Sequence, residues 1–349
     1  MSKINIDLLN PGMIIEKDIY TTTNQLIICK NTIATENIIR RLKYFDIRNV
    51  DICDEKNSVT KEESFKIFKE DYNKIENSIS NMLNGLIKKE YSEKEISNIV
   101  EETVKLYNTQ SSALVLIKMI QQLENDNIIF AHSLNVGILG MIIAKWSGFS
   151  EKECKFILQC GLFHDVGKLL IPKRILDKNS KLTINEFAEM KSHTVEGYNL
   201  LKSLDVDEQI ANVALLHHER IDGTGYPLQL KNKQIDKFSN ISKIIAIADV
   251  YDGMTSKRAY RDAICPFLVF GKFEKEGINL FDPSYLMTFL KNIINTYIND
   301  EVLLSDGRKG KIVMVNNTSL GRPVIQSNGE FIDLAKYREN ELAITKILI

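Results

Sequence analysis

The chain is poor in the features that mark disulfide-bonded, membrane-spanning and nucleic-acid-coating proteins. Its cysteines are few, odd in number and without a CxxC pair: Cys29, Cys53, Cys154, Cys160 and Cys265. That pattern is typical of reduced thiols in a cytoplasm. The first residues lack the apolar core of a signal peptide, and the longest apolar stretch, Leu134–Ala144, is too short to cross a bilayer. The formal net charge is −1, which gives no bulk attraction to duplex nucleic acid or to an anionic membrane. We therefore expect a cytoplasmic protein with no membrane span and no duplex partner.

Histidine is scarce too, and it is confined to one part of the chain. All five histidines fall between positions 132 and 218: His132, His164, His193, His217 and His218. Neutral imidazole is the commonest metal ligand near neutral pH, and acidic residues lie beside several of these histidines. The distribution therefore predicts a metal centre.

The chain is predicted to be mainly α. Because 349 residues exceed a typical single core, more than one domain is expected. Hydrophobic patterning divides the chain into four regions. Residues 1–55 are predicted to form a small mixed α/β module, and residues 299–349 a small antiparallel β module. Between them, residues 56–125 are a linker and a helical segment, and residues 126–298 form a helical bundle. The apolar faces within 64–125 would look the same whether they pack internally or form a homodimer. The terminal modules are candidate sites for protein partners.

Short apolar runs and turn signals define the terminal modules, and a helix is expected over residues 35–45. The predicted strands are Met13–Ile15, Leu26–Cys29, Asn49–Cys53, Lys311–Asn316, Pro323–Ser327 and Glu330–Leu334. The turn signals in the C-terminal module are Asp306-Gly307, Asn316-Asn317 and Asn328-Gly329.

Three helix starts are legible in the bundle. Ser150 precedes Glu153 and Thr183 precedes Glu186 in the capping-box spacing, and Asp205 precedes Glu208 in a weaker variant. The first helix is expected to end at residues 164–165 with Gly167 as its stop, the second to carry His193 in its body, and the third to end at residues 217–218.

The number of candidate ligands points to more than one metal ion. Helices predicted over 126–146 and from about Asn240 add His132, and Asp249 with Asp252 three residues apart on one face. A single catalytic zinc needs about three protein ligands, whereas five imidazoles and at least two carboxylates are enough for two ions. The adjacent His164 and Asp165 would let the carboxylate bridge them. An all-nitrogen-and-oxygen ligand set suits iron or manganese.

Two sequence motifs carry a resemblance to a known family. HDVGK at 164–168 resembles the signature of the HD-domain metal-dependent phosphohydrolases. HHERIDGTGYP at 217–227, together with IADVYDGMTSKRAYR at 247–261, is similar to the HD-GYP subfamily. The resemblance covers about 126–270 and implies an HD-type helical bundle. It also implies hydrolysis of cyclic di-GMP or, as in some members, of related cyclic dinucleotides.

The resemblance assigns roles residue by residue. The implied metal ligands are His132, His164, Asp165, His193, His217, His218 and Asp249. Asp165 would bridge and, with Lys168, act in catalysis, because Lys168 resembles the lysine that contacts the scissile phosphate or the leaving oxygen. Tyr226 and Pro227 would shape the nucleotide pocket, and Arg258 and Arg261 would hold the second phosphate, since guanidinium groups suit paired contacts with phosphate oxygens.

Two further positions complete the implied site. Asp252 would orient a ligand or the attacking water. Some family members place a glutamate one turn before the first histidine and hold a third metal, whereas this chain has Ile128 there. We therefore expect two divalent metal ions, iron or manganese.

These patterns predict a phosphodiesterase that converts cyclic di-GMP to the linear dinucleotide pGpG, with a second cut to GMP left open. One alternative is a catalytically weak cyclic-dinucleotide sensor or protein-interaction module, which binding without turnover would reveal. The other is an HD phosphohydrolase for a different cyclic dinucleotide, which competition among substrates would reveal. The complete ligand set favours an enzyme over the sensor.

Overall fold

The computed structural model describes residues 2–10, 13–20, 26–28, 32–34, 36–52, 61–90, 92–110, 113–123, 128–230, 239–257, 262–316 and 318–348. Within them, helices form the bulk of the chain and small antiparallel sheets lie at both ends, as the sequence predicts.

The N-terminal region has a four-stranded sheet, a separate two-stranded sheet formed by its third and fourth strands, and one helix. Its strands are β1 (Ser2–Asn5), β2 (Ile14–Ile15), β3 (Ile19–Tyr20), β4 (Leu26–Ile28), β5 (Thr32–Ile33) and β6 (Asn49–Ile52), with α1 (Glu36–Tyr44) between the last two. Four strands pair in the order β1-β6-β2-β5. Ile15, Leu42 and Val50 are buried in a hydrophobic cluster that draws only on this region among the described residues. The described residues of the three predicted strands and of the predicted helix hold β2, β4, β6 and α1, and β1, β3 and β5 are additions.

Fourteen further segments build the helical bundle and its approach. They are α2 (Lys61–Ile87), α3 (Glu93–Thr109), α4 (Ala113–Gln121), α5 (Ile128–Trp146), α6 (Glu151–Phe163), a 3₁₀ helix (Val166–Leu170), α7 (Lys173–Leu176), α8 (Ile184–Lys191), α9 (His193–Ser203), α10 (Glu208–Leu216), α11 (Asn240–Thr255), α12 (Pro266–Lys272), α13 (Ile278–Leu280) and α14 (Pro283–Ile294). A π-helical turn, Phe273–Gly277, joins α12 to α13. The apolar faces of α2, α3 and α4 are buried in the same hydrophobic core as α5 and α6, so internal packing accounts for them.

Helix α5 is the central helix of the bundle. It is long and apolar enough to cross a membrane by length and composition, but 83% of that window is buried inside the protein. It packs against α6 at close range, because a Cβ on Gly161 would lie 2.4 Å from the Cα of Gly137. We interpret α5 as a core helix whose hydrophobicity reflects burial on all sides.

Two of the three predicted helix starts are confirmed. Ser150 with Glu153 and Thr183 with Glu186 both form complete capping boxes. The prediction at Asp205 is wrong, because Asp205 adopts a left-handed backbone with φ of 56°. Asp207 caps α10 instead, by accepting a 2.7 Å hydrogen bond from the Gln209 N–H. An aspartate two residues further on thus satisfies the free amide at the helix start.

The C-terminal region is a five-stranded antiparallel sheet. Its strands are β7 (Glu301–Leu304), β8 (Lys309–Met314), β9 (Val324–Ser327), β10 (Glu330–Asp333) and β11 (Ile344–Leu348), in the order β10-β9-β8-β7-β11. The three predicted strands are present, and β7 and β11 are additions. Gly307 and Gly329 have the positive φ that their predicted turns need. In the predicted turn Asn316-Asn317, Asn317 lies outside the described residues. Val302, Ile312 and Ile325 are buried in the core that the helices share.

Candidate metal centre

The seven residues predicted as metal ligands converge in the bundle, at the meeting point of α5, α6, α9, α10 and α11. They form two groups, and within each group the potential ligand atoms lie within 4.8 Å of one another. The first group is Asp165, His193, His217 and His218, and the second is His132, His164 and Asp249. Each group therefore has enough nitrogen and oxygen donors for a metal ion.

Asp165 lies between the two groups and turns one carboxylate oxygen to each. Its Oδ1 is 3.4 Å from His193 Nε2 and 3.6 Å from His217 Nε2. Its Oδ2 is 3.2 Å from His164 Nε2 and 3.5 Å from His132 Nε2. The side chain is 1% exposed, so no solvent competes for these oxygens. This is the geometry that a bridging carboxylate requires.

Hydrogen bonds at the outer nitrogen orient four of the five imidazoles. Nδ1 of His164 donates to the Gly161 carbonyl at 2.7 Å, and Nδ1 of His193 donates to the Met190 carbonyl at 2.7 Å. His217 Nδ1 bonds the Ala214 carbonyl at 3.0 Å in the same way. For His132, the acceptor is Oδ2 of Asp252, at 2.6 Å. Because a proton occupies each Nδ1, the lone pair of each Nε2 faces the carboxylates in the middle of the site.

Buried polar atoms without hydrogen-bond partners indicate whether the residues fit a metal ion. His164 Nε2 and Asp165 Oδ1 are buried and have no hydrogen-bond partner in the structure. A buried acceptor without a donor costs about 1–3 kcal/mol, and both atoms point into the ligand groups. A divalent cation would satisfy them, so the cluster fits divalent metal binding.

Protonation states at neutral pH favour cations as well. Burial lowers the pKa of His193 to about 3, and it lowers the pKa values of His217 and His218. Burial opposes ionisation of Asp165, but Lys168 and His164 outweigh it and hold the pKa of this carboxyl well below its usual range. His193, His217 and His218 thus present neutral imidazole nitrogens and Asp165 an ionised carboxylate, which are the forms that bind metals.

The sequence predicts that the helix starting near Ile184 carries His193 in its body, and the structure differs. The helix from Ile184 ends at Lys191, and His193 starts a new helix, α9. Gly167 is not a helix stop, because it lies inside the 3₁₀ helix. Instead, glycine at this position lets the 3₁₀ helix pack closely against α9, because a Cβ there would meet the His193 carbonyl oxygen at 1.9 Å. The absence of a side chain brings the segment with Asp165 and Lys168 against the start of α9.

Lys168 and Asp252 both contact predicted ligands. Lys168 Nζ lies 2.5 Å from Asp165 Oδ2, at the edge of both ligand groups, and its side chain is 21% exposed. Asp252 is 3% exposed and binds His132, as described above. A surface position for Asp252, the alternative for an aspartate on a helix, is thereby excluded.

Glu219 holds the loop that carries Tyr226 and Pro227, a role that the sequence did not indicate. Its buried carboxylate accepts backbone hydrogen bonds from Leu228, Gln229 and Leu230, at 2.6, 3.0 and 3.0 Å. Tyr226 is thereby set with its ring 4.6 Å from the ring of His218. Pro227 follows through a cis peptide bond and is half-buried. In the sequence, Glu219 directly follows the histidine pair and lies six residues before Gly-Tyr-Pro, and this fixed position in the motif could have drawn attention to it.

Lys191 is a second residue that sequence reasoning missed. Its Nζ lies 5.2 Å from the centre of the Tyr226 ring and 4.6 Å from that of Phe187, which is 48% exposed. Among the described residues, no carboxylate lies within ion-pair distance of it. The aromatic rings therefore hold an uncompensated cation near His193 and His218, the other rings that Tyr226 contacts. Arg258 and Arg261 lie outside the described residues.

Comparisons with known proteins agree with this geometry. Residues 138–284 match the family described as HD domain. The chain is 32% identical over 212 residues to a cyclic di-GMP phosphodiesterase of Pseudomonas aeruginosa, which covers 60% of this chain and 50% of the relative. It is 38% identical over 162 residues to a cyclic di-GMP phosphodiesterase of Thermotoga maritima, covering 46% and 43%. A 3'3'-cGAMP-specific phosphodiesterase of Vibrio cholerae is 37% identical over 135 residues, covering 39% and 31%. The chain thus spans about half or less of the length of the curated relatives it matches.

One solved structure supports the fold alone. An HDG"Y"P protein from Bdellovibrio bacteriovorus superposes with a TM-score of 0.54 at 15% identity, covering 82% of this chain and 97% of the other. Residues 138–284 thus match an HD domain, and their buried histidine–aspartate cluster, with His132 before them, fits divalent metal binding. The HD and GYP sequences at 164–168 and 217–227 lie in or beside that cluster, and the chain is similar there to curated cyclic di-GMP phosphodiesterases.

Proposed function

We propose that this protein is a metal-dependent phosphodiesterase that hydrolyses cyclic di-GMP to pGpG. The observation that carries the proposal is Asp165, whose two oxygens face two separate groups of imidazoles. Relatives named cyclic di-GMP phosphodiesterases, 27–38% identical to this chain, support the choice of substrate. A second cut of pGpG would give GMP.

The ligand groups assign each residue a place in a binuclear site. His193, His217 and His218 would hold one ion, His132, His164 and Asp249 the other, and Asp165 both. Two divalent ions, iron or manganese, would activate a water and neutralise charge on the phosphoryl oxygens. The described part of the chain has Ile128 at the start of α5, and its apolar side chain offers no ligand for a third ion.

The chain's own side chains do the rest of the work around the phosphate. Lys168 lies at the edge of both ligand groups, where its ammonium would stabilise charge on the scissile phosphate or the leaving oxygen. Tyr226 stacks beside His218, and with Pro227 it would form a wall of the nucleotide pocket. Asp252 would keep His132 in the tautomer that binds metal. Arg258 and Arg261 remain proposed contacts for the second phosphate.

Lys191 extends this proposal to the mouth of the site, where a cation without a carboxylate partner would meet a substrate phosphate. We expect Lys191→Met to raise the KM for cyclic di-GMP about tenfold or more and to change kcat little. A hydrogen bond to a charged group is worth about 1.5–3 kcal/mol, and each 1.4 kcal/mol is a factor of ten in binding. Steady-state kinetics by liquid chromatography measure both constants.

Lys145→Met is the matched control. Lys145 also lies over an aromatic ring, at 4.8 Å from the centre of Tyr107. It is separated from His132 by about 20 Å of helix. An unchanged KM in Lys191→Met, or an equal rise in both variants, would show that Lys191 does not contact the substrate.

The activity itself is tested with protein loaded with iron or manganese under reducing conditions. Cyclic di-GMP, 3'3'-cGAMP and cyclic di-AMP are supplied in turn, and the products are separated by chromatography. We expect pGpG from cyclic di-GMP at the highest kcat/KM. Intact cyclic di-GMP with tight binding would favour the sensor instead. Faster cleavage of 3'3'-cGAMP would favour the substrate of the Vibrio cholerae relatives, whose 37–38% identity makes this the specific second candidate.

Location and assembly are separate predictions. The cytoplasmic location follows from the cysteine pattern, and in the described residues Cys154, Cys160 and Cys265 are unpaired thiols. A homodimer, and protein partners of the terminal modules, are hypotheses that light scattering and co-purification would test.

A further inference from the structure

A buried chain of hydrogen bonds connects helix α2 to the metal cluster. Tyr72 on α2 is fully buried, and its hydroxyl donates to Asn135 Oδ1 at 2.7 Å. Asn135 Nδ2 donates to Asp252 Oδ1 at 2.9 Å. Asp252 Oδ2 then accepts the proton of His132 Nδ1 at 2.6 Å. Four side chains thus lead from α2 to a ligand of the second metal group.

The Asp252 carboxylate sets the polarity of the chain, because it can only accept and so faces the amide nitrogen of Asn135. The Asn135 carbonyl oxygen then faces the Tyr72 hydroxyl, which also lies 3.3 Å from the Ala131 carbonyl oxygen. Asp252 Oδ1 also accepts from the Ser256 hydroxyl at 2.9 Å. With Oδ1 occupied, Oδ2 is aimed at His132 and fixes the proton on Nδ1. Nε2 of His132 is then left to face Asp249 Oδ1, at 3.1 Å, and Asp165.

Loss of the Tyr72 hydroxyl would disturb this order without opening a cavity. Asn135 is 3% exposed, and its carbonyl oxygen would lose its hydroxyl donor. A buried acceptor without a partner is costly, and rotation of the amide cannot relieve that cost, because it would turn the oxygen towards the Asp252 carboxylate. A shifted Asn135 would hold Asp252, and through it His132, less firmly. The first ligand group, Asp165 with His193, His217 and His218, contains none of these residues.

We infer that Tyr72 and Asn135 are positioning residues, which set the affinity of the ligand group containing His132 for its metal ion. The inference rests on the proposed metal site, not on its substrate. Tyr72 lies on α2, far before the residues 138–284 that match the HD domain. The helical segment that follows the N-terminal module therefore contributes directly to the metal centre, and a displacement of α2 would change the affinity of one metal position.

The test is a titration of the full chain with Mn²⁺ alone, in which electron paramagnetic resonance measures the free ion. Partners of metal-ligating histidines are typically worth 10–100-fold in metal affinity. We expect Tyr72→Phe to weaken one of two binding events about tenfold and to leave the other unchanged. Asn135→Leu is expected to weaken the same event more. The double variant should match Asn135→Leu, because both changes break one chain.

Tyr297→Phe is the control for losing a buried phenol hydroxyl. Tyr297 is 1% exposed, its hydroxyl donates to Gln121 Oε1 at 3.0 Å and lies 3.4 Å from the Tyr251 hydroxyl, and neither partner belongs to the ligand groups. We expect wild-type Mn²⁺ binding from this variant. Unchanged binding in Tyr72→Phe, equal weakening of both events, or the same loss in Tyr297→Phe would overturn the inference. Wild-type protein that binds Mn²⁺ with these differences but leaves cyclic di-GMP intact would overturn the proposed substrate alone.

Discussion

Asp165→Asn is expected to abolish hydrolysis of cyclic di-GMP and to lower the metal content, while the helical fold persists. The amide removes the negative charge that both ligand groups share and replaces one oxygen with a nitrogen that cannot bridge two cations. Metal ions contribute several kcal/mol to stabilising a phosphoryl transition state, and a loss of about 4 kcal/mol is roughly a 10³-fold loss in rate. Chromatographic turnover, metal analysis and circular dichroism measure the three quantities.

Asp177→Asn provides the matched control, because Asp177 is an exposed aspartate shortly after the same 3₁₀ helix. It should keep wild-type turnover and metal content. If Asp165→Asn retained turnover within tenfold of the wild type, Asp165 would not bridge the metal site. Loss of helical signal in Asp165→Asn would instead mean that the cluster is needed for folding.

Gly167→Ala is expected to lower the free energy of unfolding by about 3 kcal/mol and to weaken metal binding. Overpacking a tight site costs about 1–3 kcal/mol and occasionally more. Here the added Cβ would meet the His193 carbonyl oxygen at 1.9 Å and the Gly197 nitrogen at 2.6 Å. Both are backbone atoms, so no side chain can rotate away. The 3₁₀ helix and α9 must separate, and Asp165 and His193 must separate with them.

Urea unfolding and Mn²⁺ titration measure both effects. Gly271→Ala is the control, because a Cβ at Gly271 in α12 would meet no atom within 4 Å. An alanine there should be neutral or stabilise the helix by about 0.5–1 kcal/mol. Wild-type stability and metal affinity in Gly167→Ala would contradict the role given to the close approach of these two segments.

The convergence of most candidate ligands was predictable because compact motifs carry them. His164 with Asp165, and His217 with His218, are adjacent in sequence, and each pair follows the end of a helix that hydrophobic periodicity reveals. The capping residue was predicted correctly only for the first of these two helices. Asp249 and Asp252 were placed on one helix correctly. Asp249 belongs to a ligand group, whereas Asp252 binds the outer nitrogen of His132. This difference depends on how α11 packs against α5, which the sequence does not show.

The missed features depend on contacts between distant segments or on local backbone detail. Tyr72 meets Asn135 over a separation of 63 residues, and no periodicity in α2 distinguishes that tyrosine from other buried positions. Lys191 is the last residue of α8 and belongs to no motif, and its proposed role depends on the approach of Tyr226, which the sequence does not show. The helix break at Ser192 has no proline or glycine to announce it. Strands β7 and β11 pair with each other over about forty residues of chain, which short-range turn signals do not reveal.

The metal stoichiometry of wild-type protein, purified without air and measured alongside turnover, tests whether one aspartate joins two ligand groups into a single binuclear site. We expect two iron or manganese ions per chain in active protein, and fewer than two in inactive Asp165→Asn. One ion per chain in fully active protein, or full turnover after complete chelation, would contradict that expectation.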